Sequence, residues 1–380
     1  MSGVLVRQAT YDLSRIRAVV SEMLSTPAAP CITPGCKVLL KPNFLQPASP
    51  DQAITTHPLV LRAVAECVLE KGAHVQISDS PAIGGFSRIL KKGGYEPELA
   101  GLAVTVVPFE QTVPVDLGPP FGKVRMARDA MEADVVINLA KLKTHSQMGL
   151  TLGVKNIFGC VVGLEKPEWH MRAGVDRHLF ARLIVSLYEA VKPAYTLVDG
   201  ILAMEGQGPG KSGTPRELGL LFGGDNAHAV DHAICLLAGM PPARLETHSN
   251  ALEMGVYDGN VHIDGQMKIL ADFDLPVMGE LTMGPAFLNR FMRRFVLQRP
   301  VANRDRCRLC GECWTYCPVH AITTTNKGIV FDTAACIRCY CCLEVCPHAA
   351  ILAKTPLAGD IITGVRTWFR ETALKKSPAN

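Results

Sequence analysis

Nine of the fourteen cysteines fall between residues 307 and 346. In order they are Cys307, Cys310, Cys313 and Cys317-Pro318, then Cys336, Cys339, Cys341, Cys342 and Cys346-Pro347. With Cys341 set aside, this is the run C-x2-C-x2-C-x3-C-P written twice, the ligand pattern of a protein with two [4Fe–4S] cubes. Three thiolates at such spacing wrap one face of a cube from a tight loop, while the fourth, held by its proline, points away and ligates the other cube. The spacing therefore assigns Cys307, Cys310, Cys313 and Cys346 to one cluster, and Cys336, Cys339, Cys342 and Cys317 to the second. A zinc ribbon needs four ligands in one tetrahedron and no third C-x2 step. A disulfide framework belongs to small secreted domains, and no secretory signal opens this sequence. Cys341 fits neither triplet and reads as a non-ligating thiol.

A second set of reactive side chains follows apolar runs that read as strands. Val38-Leu39-Leu40 leads into Lys41-Pro42-Asn43, Val75-Gln76-Ile77 into Ser78-Asp79-Ser80, Val135 to Leu139 into Lys141-Leu142-Lys143-Thr144-His145, and Leu197-Val198 into Asp199-Gly200. In an open parallel sheet the ligand crevice lies beyond the carboxyl ends of the strands. On that geometry Lys41, Asn43, Asp79, Lys141, Lys143 and Asp199 share one rim, and Lys155-Asn156, in the stretch Gly149 to Gly163, adds a fourth ammonium. A single lysine after a strand is usually a solvated loop residue; several converging favour a substrate or cofactor that carries carboxylates or phosphates.

The candidate proton-handling groups are His145, His170 and Glu205. Lysines around His145 would depress its pKa and keep it neutral, suited to proton transfer or metal ligation; the bland alternative for either histidine is a structural role. Gly206-Gln207-Gly208-Pro209-Gly210-Lys211-Ser212 is not a P-loop, because Glu205 stands where the first glycine is required and Pro209 removes a backbone donor. It reads either as a flap that brings Glu205 over the crevice or as a surface loop. No G-x-G-x-x-G follows a strand, so nothing supports a dinucleotide site.

Positioning these groups requires an α/β fold: a mainly parallel sheet with flanking helices, plus a small α+β two-cluster domain. Strands are expected at Val4–Arg7, Lys37–Lys41, Val75–Ser78, Val104–Val107, Val135–Leu139, Thr196–Val198 and Leu218–Phe222. Helices are expected at Leu13–Leu24, from Thr55-Thr56-His57-Pro58 to Lys71, and around 86–92, 125–133, 177–191 and 226–238. The domain reading is 1–282 for the α/β part, 283–300 for a linker helix with Phe287, Phe291 and Phe295 on one stripe, 301–356 for the cluster domain, and 357–380 for a tail. The one internal repeat is the offset of 29 residues between the cysteine triplets.

A chain of 380 residues, 48% of them apolar, has ample material for a large core and a small satellite. The formal net charge of +4 is offset by roughly −2 on each cube. With no basic run, zinc finger or RNA-binding aromatic motif, nucleic acid is not an expected partner. No apolar stretch reaches the roughly 18 residues that span a bilayer. Cysteines in a chain without a secretory signal point to a reducing cytoplasm. Cys31, Cys36, Cys67, Cys160 and Cys235 read as scattered free thiols.

Lys37-Val38-Leu39-Leu40-Lys41-Pro42-Asn43, Thr55-Thr56-His57-Pro58, Ala133 to Asn138, Lys141 to His145, Gly153-Val154-Lys155-Asn156-Ile157-Phe158-Gly159, and Asp199-Gly200 with Glu205-Gly206 together resemble the domain of unknown function 362 over residues 1 to about 300. The resemblance implies an iron–sulfur protein, since this domain is often joined to a ferredoxin module, but it names no substrate. A fainter likeness, at the level of fold, is to the apoprotein of nickel-pincer lactate racemase. The expected function is an oxidoreductase in which a redox partner protein or low-potential donor charges the clusters and these reduce an anionic small molecule in the crevice. The alternative is a non-catalytic electron carrier or a metallocofactor assembly or delivery factor.

Overall fold

Strands whose apolar residues alternate must bury both faces when helices cover both sides, and that is how the large domain is built. The computed structural model describes residues 2–163, 165–278, 291–292, 295–326 and 328–359. The strands of the large domain are β1 (Ser2–Gln8), β2 (Lys37–Lys41), β3 (His74–Ile77), β4 (Val104–Val106), β5 (Thr112–Asp116), β6 (Lys123–Ala127), β7 (Val135–His145), β8 (Gly149–Thr151), β9 (Tyr195–Gly206), β10 (Gly213–Gly224) and β11 (Val261–Asp264). The main sheet has the order β11-β1-β10-β9-β7-β2-β3-β4, with β8 paired to β7. Strands β9, β7, β2, β3 and β4 run parallel, whereas β10 is antiparallel to both β1 and β9.

Two apolar layers sandwich this sheet. Helices α1 (Leu13–Met23), α2 (Pro58–Leu69), α3 (Phe86–Lys92) and α4 (Tyr95–Leu99) cover one face. The short helices α5 (Arg128–Glu132), α6 (Gly153–Asn156) and α7 (Glu165–Ala173) precede α8 (Arg177–Val191), α9 (Ala227–Leu237) and α10 (Glu246–Glu253), which pack on the other. The period of two shows in β2, where Val38 and Leu40 join the first layer and Leu39 the second. In β7 likewise, Val135, Ile137 and Leu139 face α1 and α2, and Val136, Ala140 and Leu142 the opposite layer.

Several elements differ from the sequence expectation. Strands β7 and β9 extend well past Leu139 and Val198, so Lys141, Lys143, His145 and Asp199 lie within strands instead of on loops beyond them. Lys141 and Asp199 stay in these buried strands because Lys141 Nζ and Asp199 Oδ2 sit 2.7 Å apart and cancel each other. Of the helix expected at 125–133, only Arg128–Glu132 is helical; buried Val124 and Met126 alternate with exposed Lys123 and Arg125, a strand pattern that pairs β6 with β5. The cap of α2 is His57, whose Nδ1 accepts from Leu59 N–H at 3.2 Å. Thr56 instead accepts from Asn43 N–H at 2.9 Å and donates to the Leu139 carbonyl at 2.7 Å. The helix expected over 283–300 falls mostly outside the described residues, and its last two residues belong to strand β12 (Arg299–Ala302). The tail from residue 360 onward lies outside them as well.

The small domain repeats itself at an offset of 29 residues. Strand β12 pairs with β15 (Ile351–Lys354), and β13 (Ile322–Thr325) with β14 (Gly328–Phe331). Leu309 and Arg338, Gly311 and Tyr340, and His320 and Ala349 are equivalent positions, and all six have φ between +48° and +97°. Cys307 N–H donates to the Asn303 carbonyl as Cys336 N–H does to that of Asp332, and both side-chain oxygens accept from the backbone two residues on. Tyr340, Leu343, Val345 and Cys346 share an apolar cluster with Ala82, Ile83 and Val175 of the large domain. Lys211 Nζ also donates to the Pro347 carbonyl at 3.0 Å. The two domains are therefore in contact through packed side chains.

Candidate functional site

The left-handed residues turn each cysteine loop back on itself, so its thiols converge. Cys307, Cys310, Cys313 and Cys346 line one small void, and Cys317, Cys336, Cys339 and Cys342 line a second. All eight are free thiols. The backbone N–H of Ala321 donates to Cys317 Sγ at 3.3 Å and that of Ala350 to Cys346 Sγ at 3.2 Å, the same contact in each half. Four converging thiols with N–H groups aimed at the sulfurs suit a [4Fe–4S] cube at each void, and such a group would supply one-electron chemistry there. Cys310 is exposed, whereas Cys339 and Cys342 are buried. Cys313 and Cys346 of the first set are buried as well, so Cys310 is where that set meets solvent.

A cavity of about 260 Å³ lies where the domains meet. Its large-domain wall includes Asn43, Asp79, Lys143, His145, Thr151, Lys155, Asn156, Lys166 and His170, and its small-domain wall Tyr316, Cys341, Glu344 and Val345. Phe44, Phe158, Pro167 and Pro209 add apolar surface. Lys41 stands just behind, its ammonium 2.9 Å from Asp79 Oδ1. Gly159 is packed on that pair so tightly that a Cβ there would fall 2.2 Å from Asp79 Oδ1 and 2.5 Å from Lys41 Nζ.

The remaining lysines lack such a partner. Lys143 donates to Asn43 Oδ1 at 2.7 Å and to the Ile54 carbonyl at 2.6 Å, both neutral acceptors. Asn43 passes the orientation on: its amide donates to Asn156 Oδ1, that of Asn156 to Asn138 Oδ1, and that of Asn138 to the Gly153 carbonyl. Lys166 donates to the Ser80 carbonyl. Lys155 makes no ion pair among the described residues and lies 6.0 Å from the Phe158 ring centre. Burial, then the neighbouring Lys155, holds the Lys143 ammonium well below its ordinary range; burial lowers Lys155 and brings Lys166 to about 8. An anion in the cavity would relieve all three.

His145 Nδ1 accepts from the N–H groups of Gln147 and Met148 at 3.2 and 3.3 Å, so its proton sits on Nε2, 3.1 Å from Glu344 Oε1 of the small domain. Burial, then Lys155, lowers His145 to about 4. Against the opposing effect of burial, His145 and Lys155 keep Glu344 below the ordinary carboxylate range. His170 packs on Phe180 and Phe158, burial lowers it to about 4, and its Nδ1 is buried without a hydrogen-bond partner, as is Thr151 Oγ1.

A family profile described as a domain of unknown function (DUF362) matches residues 38–236, more than half of the chain, and one described as a 4Fe-4S dicluster domain matches residues 299–347. The chain belongs to the DUF362 family. Over 254 residues this DUF362 protein is 37% identical to a thylakoid-associated protein of Synechocystis sp., covering 66% of this chain and 79% of that one. Its cysteine-rich part is similar to the delta subunit of NADH-dependent phenylglyoxylate dehydrogenase from Aromatoleum evansii (39% over 50 residues, 13% of this chain and 54% of that one). It is also similar to pyruvate synthase subunit PorD from Thermotoga maritima (38% over 58 residues, 14% and 57%). In both cases the chain spans little more than half of the relative. The lactate racemase apoprotein of Thermoanaerobacterium thermosaccharolyticum aligns at a TM-score of 0.36 and 14% identity, over 52% of this chain and 50% of that one, and this likeness carries no argument. The ferredoxin-type domain supports an iron–sulfur electron-transfer role for the protein. No helix among the described residues is long and apolar enough to cross a membrane.

Of the residues singled out in the DUF362 sequence, Asn43, Asp79, Lys143, His145, Lys155, Asn156 and His170 line the cavity. Lys141 and Asp199 do not: they form a separate buried pair with Tyr11, whose hydroxyl donates to Asp199 and accepts from Lys141. Glu205 is elsewhere too, because Arg216 Nη1 holds its carboxylate at 2.9 Å and Asp274 N–H donates to it. The stretch after Glu205 is no free flap, since Gly208 N–H donates to Thr144 Oγ1 and its carbonyl accepts from Ser146 N–H. Sequence reasoning missed Lys166, Glu344 and the bracing Asn138. For Glu344 a signal existed: Tyr340, Cys341 and Glu344 replace Gly311, Glu312 and Thr315 of the first repeat.

Proposed function

We propose that this protein is a ferredoxin-fused oxidoreductase that passes low-potential electrons, one at a time, to an anionic substrate or cofactor held in the cavity between its domains. One observation carries the reading: the cavity wall is built jointly by unpaired lysines of the large domain and by Cys341, which stands between Cys339 and Cys342 of the second cysteine site. Electrons would enter from a redox partner or low-potential donor at the exposed Cys310 site and leave from the buried one. Two [4Fe–4S] clusters, with the crossed ligand sets given above, are the cofactors of this proposal, and a reducing compartment such as the cytoplasm suits them. Lys143, Lys155 and Lys166 would hold the anion and stabilise the charge it gains, and His145, with Glu344 on its Nε2, would manage protons, with His170 beside them.

The test uses the protein reconstituted anaerobically and reduced by a low-potential donor. Both clusters should take up one electron each by EPR. The Lys143→Ala and His145→Ala variants should load the same iron while losing ligand binding and any ligand-dependent reoxidation. If the variants keep every binding and reoxidation signal of the parent protein, the cavity is not the site.

A further inference from the structure

Among the described residues, Cys341 is the one that lines both the second cysteine void and the ligand cavity. It is not required by the ligand spacing, and its counterpart in the first repeat is Glu312. His170, 7% exposed, and Thr151 also line this cavity, and each carries a buried polar atom without a hydrogen-bond partner, Nδ1 and Oγ1. These are buried polar atoms that await a partner. Lys155 lines the same cavity as Cys341.

We propose that Cys341 is a redox-active thiol and that the cavity takes a small disulfide carrying an anionic group. The inference rests on the electron-supply reading above and names its substrate class. In the first step the Cys341 thiol attacks the disulfide: a sulfur–sulfur bond forms between Cys341 and one half, the original bond breaks, and the other half leaves as a thiol with the Cys341 proton. In the second, two electrons and two protons open the mixed disulfide to return the Cys341 thiol and release the second half as a thiol; a cluster held at each cysteine site would supply one electron apiece. The net change is one disulfide, two electrons and two protons to two thiols, with the electrons restored by a low-potential one-electron carrier. Lys155 positions the anionic group beside the sulfur, and thiol–disulfide exchange follows access and local charge.

The anaerobic holoprotein is mixed with 5,5′-dithiobis(2-nitrobenzoate), an anionic disulfide, or with neutral 2,2′-dithiodipyridine, and adducts are mapped by peptide mass spectrometry. An adduct at Cys341 is expected with clusters intact, forming on the order of tenfold faster with the anionic probe. Lys155→Ala should erase that preference, and Cys341→Ser should remove the adduct without loss of iron. Photoreduced deazaflavin should then discharge the adduct at two electrons per protein. If Cys341 stays unmodified while exposed Cys31 reacts, or if the two probes react alike, the disulfide assignment falls and the electron supply stands. An adduct that survives reduction of both clusters overturns both.

Discussion

At the scale of single residues, the cavity depends on groups whose charge state and position are set by burial. Gly159 is the sharpest case, because a methyl group there collides with the Lys41–Asp79 pair. Gly159→Ala should cost roughly 1–3 kcal/mol, read as a lower urea midpoint, and should weaken anion binding; an unchanged midpoint would show that the pair yields freely. His170 gives a pH test. Its pKa is depressed from 6.5 to about 4, chiefly by burial. The folded state therefore binds fewer protons than the unfolded one as pH falls, so the stability present above 6.5 is lost toward 4. His170→Phe, which keeps the aromatic packing, should make the fall in stability between pH 7 and 4 shallower than in the parent by roughly 3 kcal/mol at most; parallel curves would contradict this. Much of the cavity lining was legible residue by residue, because Asn43, Lys143 and His145 follow apolar strand runs and Lys155 stands in a glycine-rich apolar stretch. Glu205 was not, since its partner Arg216 lies across the β9–β10 hairpin and that pairing has no local mark in the sequence.

At the scale of elements, strand extents and charge pairs decide which lysines are available. The sequence reading ended β7 at Leu139 because lysines normally signal a loop, yet β7 runs on to His145, its charges absorbed by β9 or by carbonyls. Lys141 lies opposite Asp199 in the parallel pairing of these strands. Lys141→Met should destabilise the protein by about 3–5 kcal/mol, since it leaves a buried carboxylate without its cation. The double change with Asp199→Leu should recover much of that in chemical denaturation, and two strictly additive losses would refute the coupling. In the small domain, by contrast, spacing alone specified the loops, because thiol convergence needs short segments and leaves little to tertiary context. The crossed ligands give an iron count as a test. Cys313→Ser with Cys346→Ser should leave about half the parent iron, one site being lost twice, whereas Cys342→Ser with Cys346→Ser should leave almost none. Equal iron in the two double variants would rule the crossing out.

At the scale of the whole molecule, the decisive feature is the seam between the domains. The sequence named each domain but not the contact, because Cys341 and Glu344 reach the cavity of Lys155 and His145 through tertiary packing, such as that of Tyr340, Leu343 and Val345 on Ala82 and Ile83. That packing turns a ferredoxin-like module and a lysine-bearing sheet into one cavity with an electron source in its wall. Native mass spectrometry of the protein purified without oxygen tests this most directly. The parent protein should carry a small anionic molecule that Lys155→Ala lacks at equal iron content. A protein partner in place of a small molecule, or the same small molecule retained by Lys155→Ala, would contradict it.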